Sequence, residues 1–347
     1  MCIQTKLVRS WPRIGPSLCV LLTLAAVSFL GMPVYFLGKQ WEDERHFLKN
    51  YRAPNDYETQ IAFTMNYAVN SSEKNDVVFH GDSTCLINLR PKRFEELTGM
   101  KAYNLGSVGV IGFDGFVWVL RSYLEHHPRP RALVLCIHPR ALKEPAMGFG
   151  PREAREPFVW SYGPGTEDKR PPHERPVRDY FRQGLWIAYG HLTGGAQRYA
   201  NEPVYNRQGK SYNTLAAEMI KERGYWEQPG TLEDDWRPRK LIEEPFNMLP
   251  GNMEGLVELA KLTQDNGILL LIRIAPLVKG DGPTNSAALR SWTAELEGNF
   301  SNVIVSRPEI LHYDADCFSD IDHCNRKGAD MFTAFVGAEV TKAIAGR

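Results

Sequence analysis

"VVFHGDSTCLINLR", residues 77–90, runs from two β-branched valines through a glycine, an acid and a serine straight into a second apolar stretch. A buried strand that ends in Gly81-Asp82-Ser83 leaves a hydroxyl at its carboxyl end, which is where open α/β sheets build their sites. The competing reading is a helix N-cap, a position that serine and aspartate favour for backbone reasons alone. The rest of the chain has to decide between them.

Outward from this stretch the pattern alternates. "DVVFH" (76–80) reads as a strand, "PKRFEELTG" (91–99) as a helix closed by glycine, and "KAYNLG" (101–106) as a second strand. "FDGFVWVLRSYLEHH" (113–127) reads as an amphipathic helix stopped by Pro128, and "RALVLCIH" (131–138) as a near-continuous apolar strand. The alternation lapses between about 140 and 248, a stretch rich in proline, glycine and charge, and then resumes. "MEGLVELAKLTQDNG" (253–267), "ILLLIRIAP" (268–276), "SAALRSWTAELEG" (286–298) and "NVIVS" (302–306) give helix, buried strand, helix and fifth strand, and 326–346 reads as a closing helix. The expected fold class is α/β: a doubly wound, mainly parallel five-stranded sheet, flavodoxin-like, with an inserted subdomain at about 140–248. The domain is expected to span 75–347. No internal repeat of fixed period is visible.

At the other end, no residue from Ile14 to Gly38 is charged, and "LCVLLTLAAVSFLGMPVYFLG" (18–38) is long enough to cross a hydrocarbon core of roughly 30 Å. Residues 14–38 are therefore read as a single transmembrane anchor. A cleaved signal peptide is the alternative, with Ala26 and Ser28 as small-residue positions, but the apolar run continues past them to Leu37. Lys6, Arg9 and Arg13 precede the span and "EDER" (42–45) follows it, which puts residues 1–13 in the cytoplasm and the main domain outside. Residues 39–74 read as a juxtamembrane connection that includes a short helix.

Composition removes some functions. Lysine plus arginine and aspartate plus glutamate are 41 each, so no global field recruits nucleic acid. Six cysteines are too few for a disulfide framework in 347 residues. Cys317 and Cys324 either close a small loop in an oxidising exterior or stay as buried thiols. The insertion's aromatic and arginine residues, Trp160, Tyr162, Arg170, Tyr180, Trp186, Tyr199 and Trp226 among them, either line a carbohydrate groove or cover the core, and composition favours covering.

A serine hydroxyl becomes a nucleophile only when a base takes its proton, and the base needs a group that fixes its tautomer. Among nine histidines, His323 in "CFSDIDHCNRKGADMF" (317–332) follows Asp320 by three residues and precedes the last helix. Asp320 is then the orienter, with Asp322 as a rival, and Ser83 meets His323 across the strand ends. An oxyanion needs donors, and the glycine-rich "YNLGSVGVIG" (103–112) supplies amides with no Cβ in the way, Gly109 first, with the Ser83 amide as another. The acidic cluster Asp314, Asp316, Asp320 and Asp322 matches neither a calcium loop nor a zinc signature, so no metal and no cofactor is expected. Cys85 is a weaker nucleophile candidate, since nothing nearby in sequence depresses its pKa.

Three of these segments, in order, resemble sequence blocks of the SGNH (GDSL) hydrolase superfamily: Gly81-Asp82-Ser83 after the first strand, Asn104 to Gly109 after the second, and Asp320 to His323 before the last helix. The resemblance implies Ser83 as nucleophile, His323 as base, Asp320 as orienter, and Gly109, Asp82 and Asn104 as oxyanion or binding residues. It departs after the third strand, where the family carries a block asparagine and this chain has "LCIHPRAL" (135–142). His138 or Arg140 occupies that space, or the donor is missing. His138 also has a plainer reading as a satisfied strand-end histidine. "DHCNRKGADMFT" (322–333) is similar to the endings of membrane-anchored, extracytoplasmic members that work beside membrane-bound O-acyltransferases in alginate acetylation or teichoic-acid D-alanylation. That likeness implies an acyltransferase or esterase acting on a cell-envelope polysaccharide, with a membrane-bound O-acyltransferase as partner. A catalytically weak glycan-binding accessory protein is the alternative.

Overall fold

In the computed structural model, which describes residues 56–143, 204–205, 210–211, 218–232, 249–281, 287–305 and 310–346, nine strands appear. They are β1 (Val77–Gly81), β2 (Ala102–Gly106), β3 (Ala132–Ile137), β4 (Val204–Tyr205), β5 (Lys210–Ser211), β6 (Leu269–Ile274), β7 (Leu277–Val278), β8 (Val303–Ile304) and β9 (His312–Tyr313). The runs read as strands with no polar face, β1, β2, β3 and β6, become a parallel sheet with β8 at its edge, in the order β2-β1-β3-β6-β8. Every residue of β1, β2 and β3 is buried, which is why none of the three alternates polar with apolar. β4 pairs with β5 antiparallel, and β7 with β9 parallel, as two small separate ladders.

The described helices are α1 (Asp56–Asn70), α2 (Ser83–Asn88), α3 (Pro91–Thr98), α4 (Gly112–His126), α5 (Pro139–Lys143), α6 (Pro250–Asp265), α7 (Ala287–Asn299) and α8 (Arg326–Ala345). Successive strand residues face opposite sides, so the sheet splits the core in two. Val78, Leu105, Leu133 and Leu270 pack with Met65 of α1, Phe116 and Leu120 of α4 and Leu259 of α6. Val77, Phe79, Val134 and Leu271 pack with Phe94 of α3 and with Phe332, Val336 and Val340 of α8. Each such side chain contributes roughly 1.5–3 kcal/mol on leaving water. Polar side chains interrupt the second face at Asn104 of β2 and at Arg273 of β6, which is buried in an otherwise apolar strand, pairs with Glu339 of α8 and lies over the Phe335 ring.

Three expectations change. The expected juxtamembrane connection 39–74, with its short helix, is more than a connection: α1 within it carries buried Ile61, Phe63, Met65 and Ala68 into the main core, so the domain includes residues before 75. Second, the turn after Ser83 holds a separate six-residue helix, α2, ahead of α3. Third, part of the expected insertion returns to the sheet: the backbone amide of Asn104, on the outer edge of β2, donates to the Arg223 carbonyl, while Trp226 is buried in the covering role that composition favours. The arginine side chain holds that edge by donating to the Ala102 carbonyl (2.6 Å) and to Asn75 Oδ1 (2.8 Å). The expected cytoplasmic segment 1–13, the anchor 14–38 and most of the insertion lie outside the described residues. Among the described residues no helix is long and apolar enough to cross a membrane.

Candidate active site

In this strand order the connection from β1 goes to one side and that from β3 to the other, so a crevice opens at the carboxyl ends of β1 and β3. β1 ends at Gly81, whose φ of +146° suits glycine. A Cβ there would run into the Cys136 carbonyl oxygen on β3. The glycine lets the two strands stay in register to their tips while the chain turns into α2.

Asp82 takes the N-cap. Its Oδ1 accepts from the Thr84 amide (2.9 Å) and the Thr84 hydroxyl (2.5 Å), and its Oδ2 accepts from the His138 amide at the end of β3 (2.8 Å). The cap reading first set against Ser83 therefore belongs to Asp82, whose carboxylate is fully engaged with the scaffold. Ser83 is left at the first helical position with its hydroxyl directed elsewhere.

That hydroxyl lies 3.0 Å from His323 Nε2, across 240 residues of sequence. His323 Nδ1 lies 3.0 Å from each Asp320 oxygen. A carboxylate only accepts, so Nδ1 carries the ring proton and Nε2 is the acceptor for Ser83. Asp320 Oδ1 also receives the amides of Asp322 (2.9 Å) and His323 (3.0 Å), so the loop folds around its own carboxylate. Burial alone would raise the Asp320 carboxyl, but the His323 ring N–H and those two amides outweigh it and hold the group below the usual range. Burial likewise pulls His323 down, and it is outweighed by Asp320, with the Asp322 and Asp82 charges adding to it, so the imidazole sits above its ordinary value.

What registers the two halves is Asn88. It closes α2, the helix that Ser83 opens, and its Oδ1 accepts from the Cys324 amide (2.9 Å), next to His323. From behind, Asn325 caps α8 by accepting from the Gly328 amide (3.3 Å), and its own Nδ2 donates to the Asp316 carbonyl (2.8 Å). Gly328 is needed there because a Cβ would meet the Cys317 carbonyl. Residues 228–232 brace the same loop: Ser319 Oγ lies 3.0 Å from Gln228 Oε1, and the Leu232 amide donates to the Phe318 carbonyl (2.7 Å).

The remaining sequence candidates fall in different places. Gly109 starts a short 3₁₀ turn, and a Cβ on it would lie 3.7 Å from Asp82 Cβ, so the glycine loop runs beside the serine turn. Asn104 is not at the reacting atoms. It is buried, its Nδ2 donates to the carbonyls of Cys85 and Leu89 (2.8 Å each), and its Oδ1 accepts from the Gly106 amide (2.7 Å), so its side chain is consumed in fastening α2 to β2. His138 is buried at the tip of β3, its Nδ1 accepting from the Arg140 amide (3.2 Å) and its Nε2 lying 3.4 Å from Asp322 Oδ1. Arg140 enters through that amide. Cys85, Cys136, Cys317 and Cys324 are free thiols, so the Cys317–Cys324 loop is not closed. Burial pushes the Cys85, Cys317 and Cys324 thiols up, which argues against any of them as a thiolate nucleophile. Among the described residues no group of three or more His, Cys, Asp or Glu is arranged to hold a metal ion.

Sequence reading missed Asn88, Gln228 and Ser319. Asn88 had a signal: an amide inside the apolar run "CLINL" (85–89) must find a fixed partner once buried. Gln228 and Ser319 had none, since their pairing depends on how the insertion returns to the sheet. Compared with protein-family models, with curated proteins and with solved structures, the chain finds no match.

Proposed function

We propose that this chain is a serine acyltransferase or esterase of SGNH-like type, held to a membrane by residues 14–38, its α/β domain extracytoplasmic and acting on O-acyl, chiefly acetyl, groups of a cell-envelope polysaccharide. The observation that carries the reading is the unbroken array Ser83 Oγ, His323 Nε2, His323 Nδ1, Asp320, with each contact at 3.0 Å. In the first half-reaction Ser83 Oγ attacks the acyl carbonyl while its proton passes to His323 Nε2. The tetrahedral intermediate then expels the donor's alkoxide, which takes that proton, and an acyl-serine remains. In the second half a water or sugar hydroxyl gives its proton to His323, attacks the ester carbonyl, and Ser83 leaves, recovering the proton. The Ser83 and Gly109 amides are the proposed oxyanion donors. A membrane-bound O-acyltransferase is the proposed donor-side partner.

The absence of an asparagine after β3 favours a second reading, a glycan-binding accessory protein with little chemistry of its own. Incubating the full-length chain with p-nitrophenyl acetate, with and without a uronic-acid oligosaccharide, separates the readings. Nitrophenol release that depends on Ser83 supports the enzyme, and acetyl gain by the oligosaccharide makes it a transferase. Oligosaccharide binding with no release from a folded protein supports the accessory role and overturns the first.

A further inference from the structure

α1 reaches toward the reacting centre through one side chain. Inside a helix a threonine hydroxyl commonly turns back to a carbonyl of the preceding turn. Thr98, Thr263 and Thr341 do so here, bonding the carbonyls of Phe94, Leu259 and Gly337 (2.8, 2.9 and 2.8 Å). Thr64 does not: it is buried in α1, and its hydroxyl donates across 42 residues to the Gly106 carbonyl at the tip of β2 (3.1 Å). The next amide along, that of Ser107, donates to the Gly81 carbonyl at the tip of β1 (2.9 Å). The oxygen of a trans peptide points opposite to its N–H, and β2 is an edge strand, so the Gly106 carbonyl leaves the sheet on the side where Thr64 meets it. The peptide unit between Gly106 and Ser107 is thus gripped at both ends, its oxygen by α1 and its N–H by the turn that carries Ser83.

We propose that Thr64 is a positioning residue for the reaction: by holding the Gly106 carbonyl it sets the course of the 106–112 loop, and with it the aim of the Gly109 amide at the oxyanion. The inference rests on the reading of Gly109 as an oxyanion donor. A peptide unit is planar, so two bonds on opposite sides fix the direction in which the chain leaves β2. Gly109 follows three residues later, where a Cβ would lie 3.7 Å from Asp82 Cβ. Between and beyond them Val108 and Ile111 are buried in the core face that also holds Ile61 and Met65 of α1, so the loop and the helix share one packing surface. An oxyanion donor works by being aimed before the charge develops, so a loop released at its first peptide loses stabilisation of the transition state and keeps its grip on the ground state. The helix that follows the expected anchor is then part of the catalytic unit.

The test is p-nitrophenyl acetate turnover and hydrogen exchange followed by mass spectrometry, both on the full-length chain. T64V keeps the side-chain shape and removes the donor, and it is expected to lower kcat about 10-fold with KM within about twofold of wild type. Exchange in the peptide covering 103–112 becomes several-fold faster in the same variant. T64S, which keeps the hydroxyl, stays within about twofold of wild-type kcat and matches wild-type exchange. T64A removes the donor without setting a methyl against the carbonyl, and it takes the place of T64V should that variant fold poorly. Wild-type kcat in a folded T64V or T64A, an equal fall in T64S, or loop exchange unchanged by loss of the hydroxyl overturns the proposal. Turnover that does not depend on Ser83 would sink the proposed reaction, and the exchange measurement, which needs no turnover, still decides whether Thr64 holds the loop.

Discussion

The two halves of the site are built by different means. The serine half is core: Gly81 sits between paired strands, Asp82 is fastened three times, and Asn104 ties α2 to β2 from beneath. The histidine half is a loop whose shape comes from its own side chains, with Asp320 gathering the turn and Asn325 closing it onto α8. The difference teaches where a substitution will be felt. Around Ser83 most changes cost stability first, whereas around His323 they cost function first. The exceptions are Ser83, the one residue of its half with its side chain turned outward to the base, and Asn88, which belongs to both.

Ser83→Ala should give the largest effect. It is expected to lower kcat/KM for an activated ester about 10⁴-fold or more while changing unfolding free energy by less than about 0.5 kcal/mol. A parallel ester assay and denaturant melt check both, and a large stability loss would break the comparison. Asp320→Asn should follow, at about 10³- to 10⁴-fold, since the tautomer is no longer enforced. Its pH profile has a defined sign. His323 acts only when neutral, and its value is raised, so wild-type kcat/KM falls as pH drops through that raised value. Removing the Asp320 charge moves this acidic limb to lower pH.

Gly81→Ala is the stability counterpart. Its Cβ meets the Cys136 carbonyl in a backbone conformation that alanine resists, so more than about 3 kcal/mol of destabilisation is expected from a melt. Asn88→Ala sharpens the boundary. It leaves the Cys324 amide without its acceptor, so about 1–3 kcal/mol is lost. Because the same bond registers Ser83 with His323, kcat should fall more than KM rises. If KM alone changed, Asn88 would be structural and the two halves would be aligned by something else.

How much of this was legible follows the same division. The five strands of the main sheet were readable to within a residue or two because buried parallel strands are unbroken apolar runs bounded by turn residues, and Gly99 and Pro128 marked helix ends; the two-residue strands β4, β5, β7 and β9 are too short to carry such a signal. Pro250 opened α6 earlier than Met253, where the apolar spacing starts. Ser83, Asp320 and His323 stood out because their chemistry demands those residue types at strand ends. Asp82 and Asn104 stand out equally, yet their side chains bond the scaffold: a motif position does not say whether a polar side chain faces the substrate or the backbone. A helix within 39–74 was legible, but its place in the core was not, because its polar residues mask a buried face; the strap at 218–232 was hidden because its partners lie far away in sequence.

The central claim is that Ser83 is a nucleophile served by His323. The direct measurement is intact-mass and peptide mass spectrometry of the full-length chain after brief exposure to an activated acetyl ester, with Ser83→Ala and His323→Ala alongside. The account predicts one added acetyl group on the peptide containing Ser83, absent in both variants. Acetylation that persists on that peptide in His323→Ala, or a folded wild-type protein that takes up no acetyl group, would contradict it.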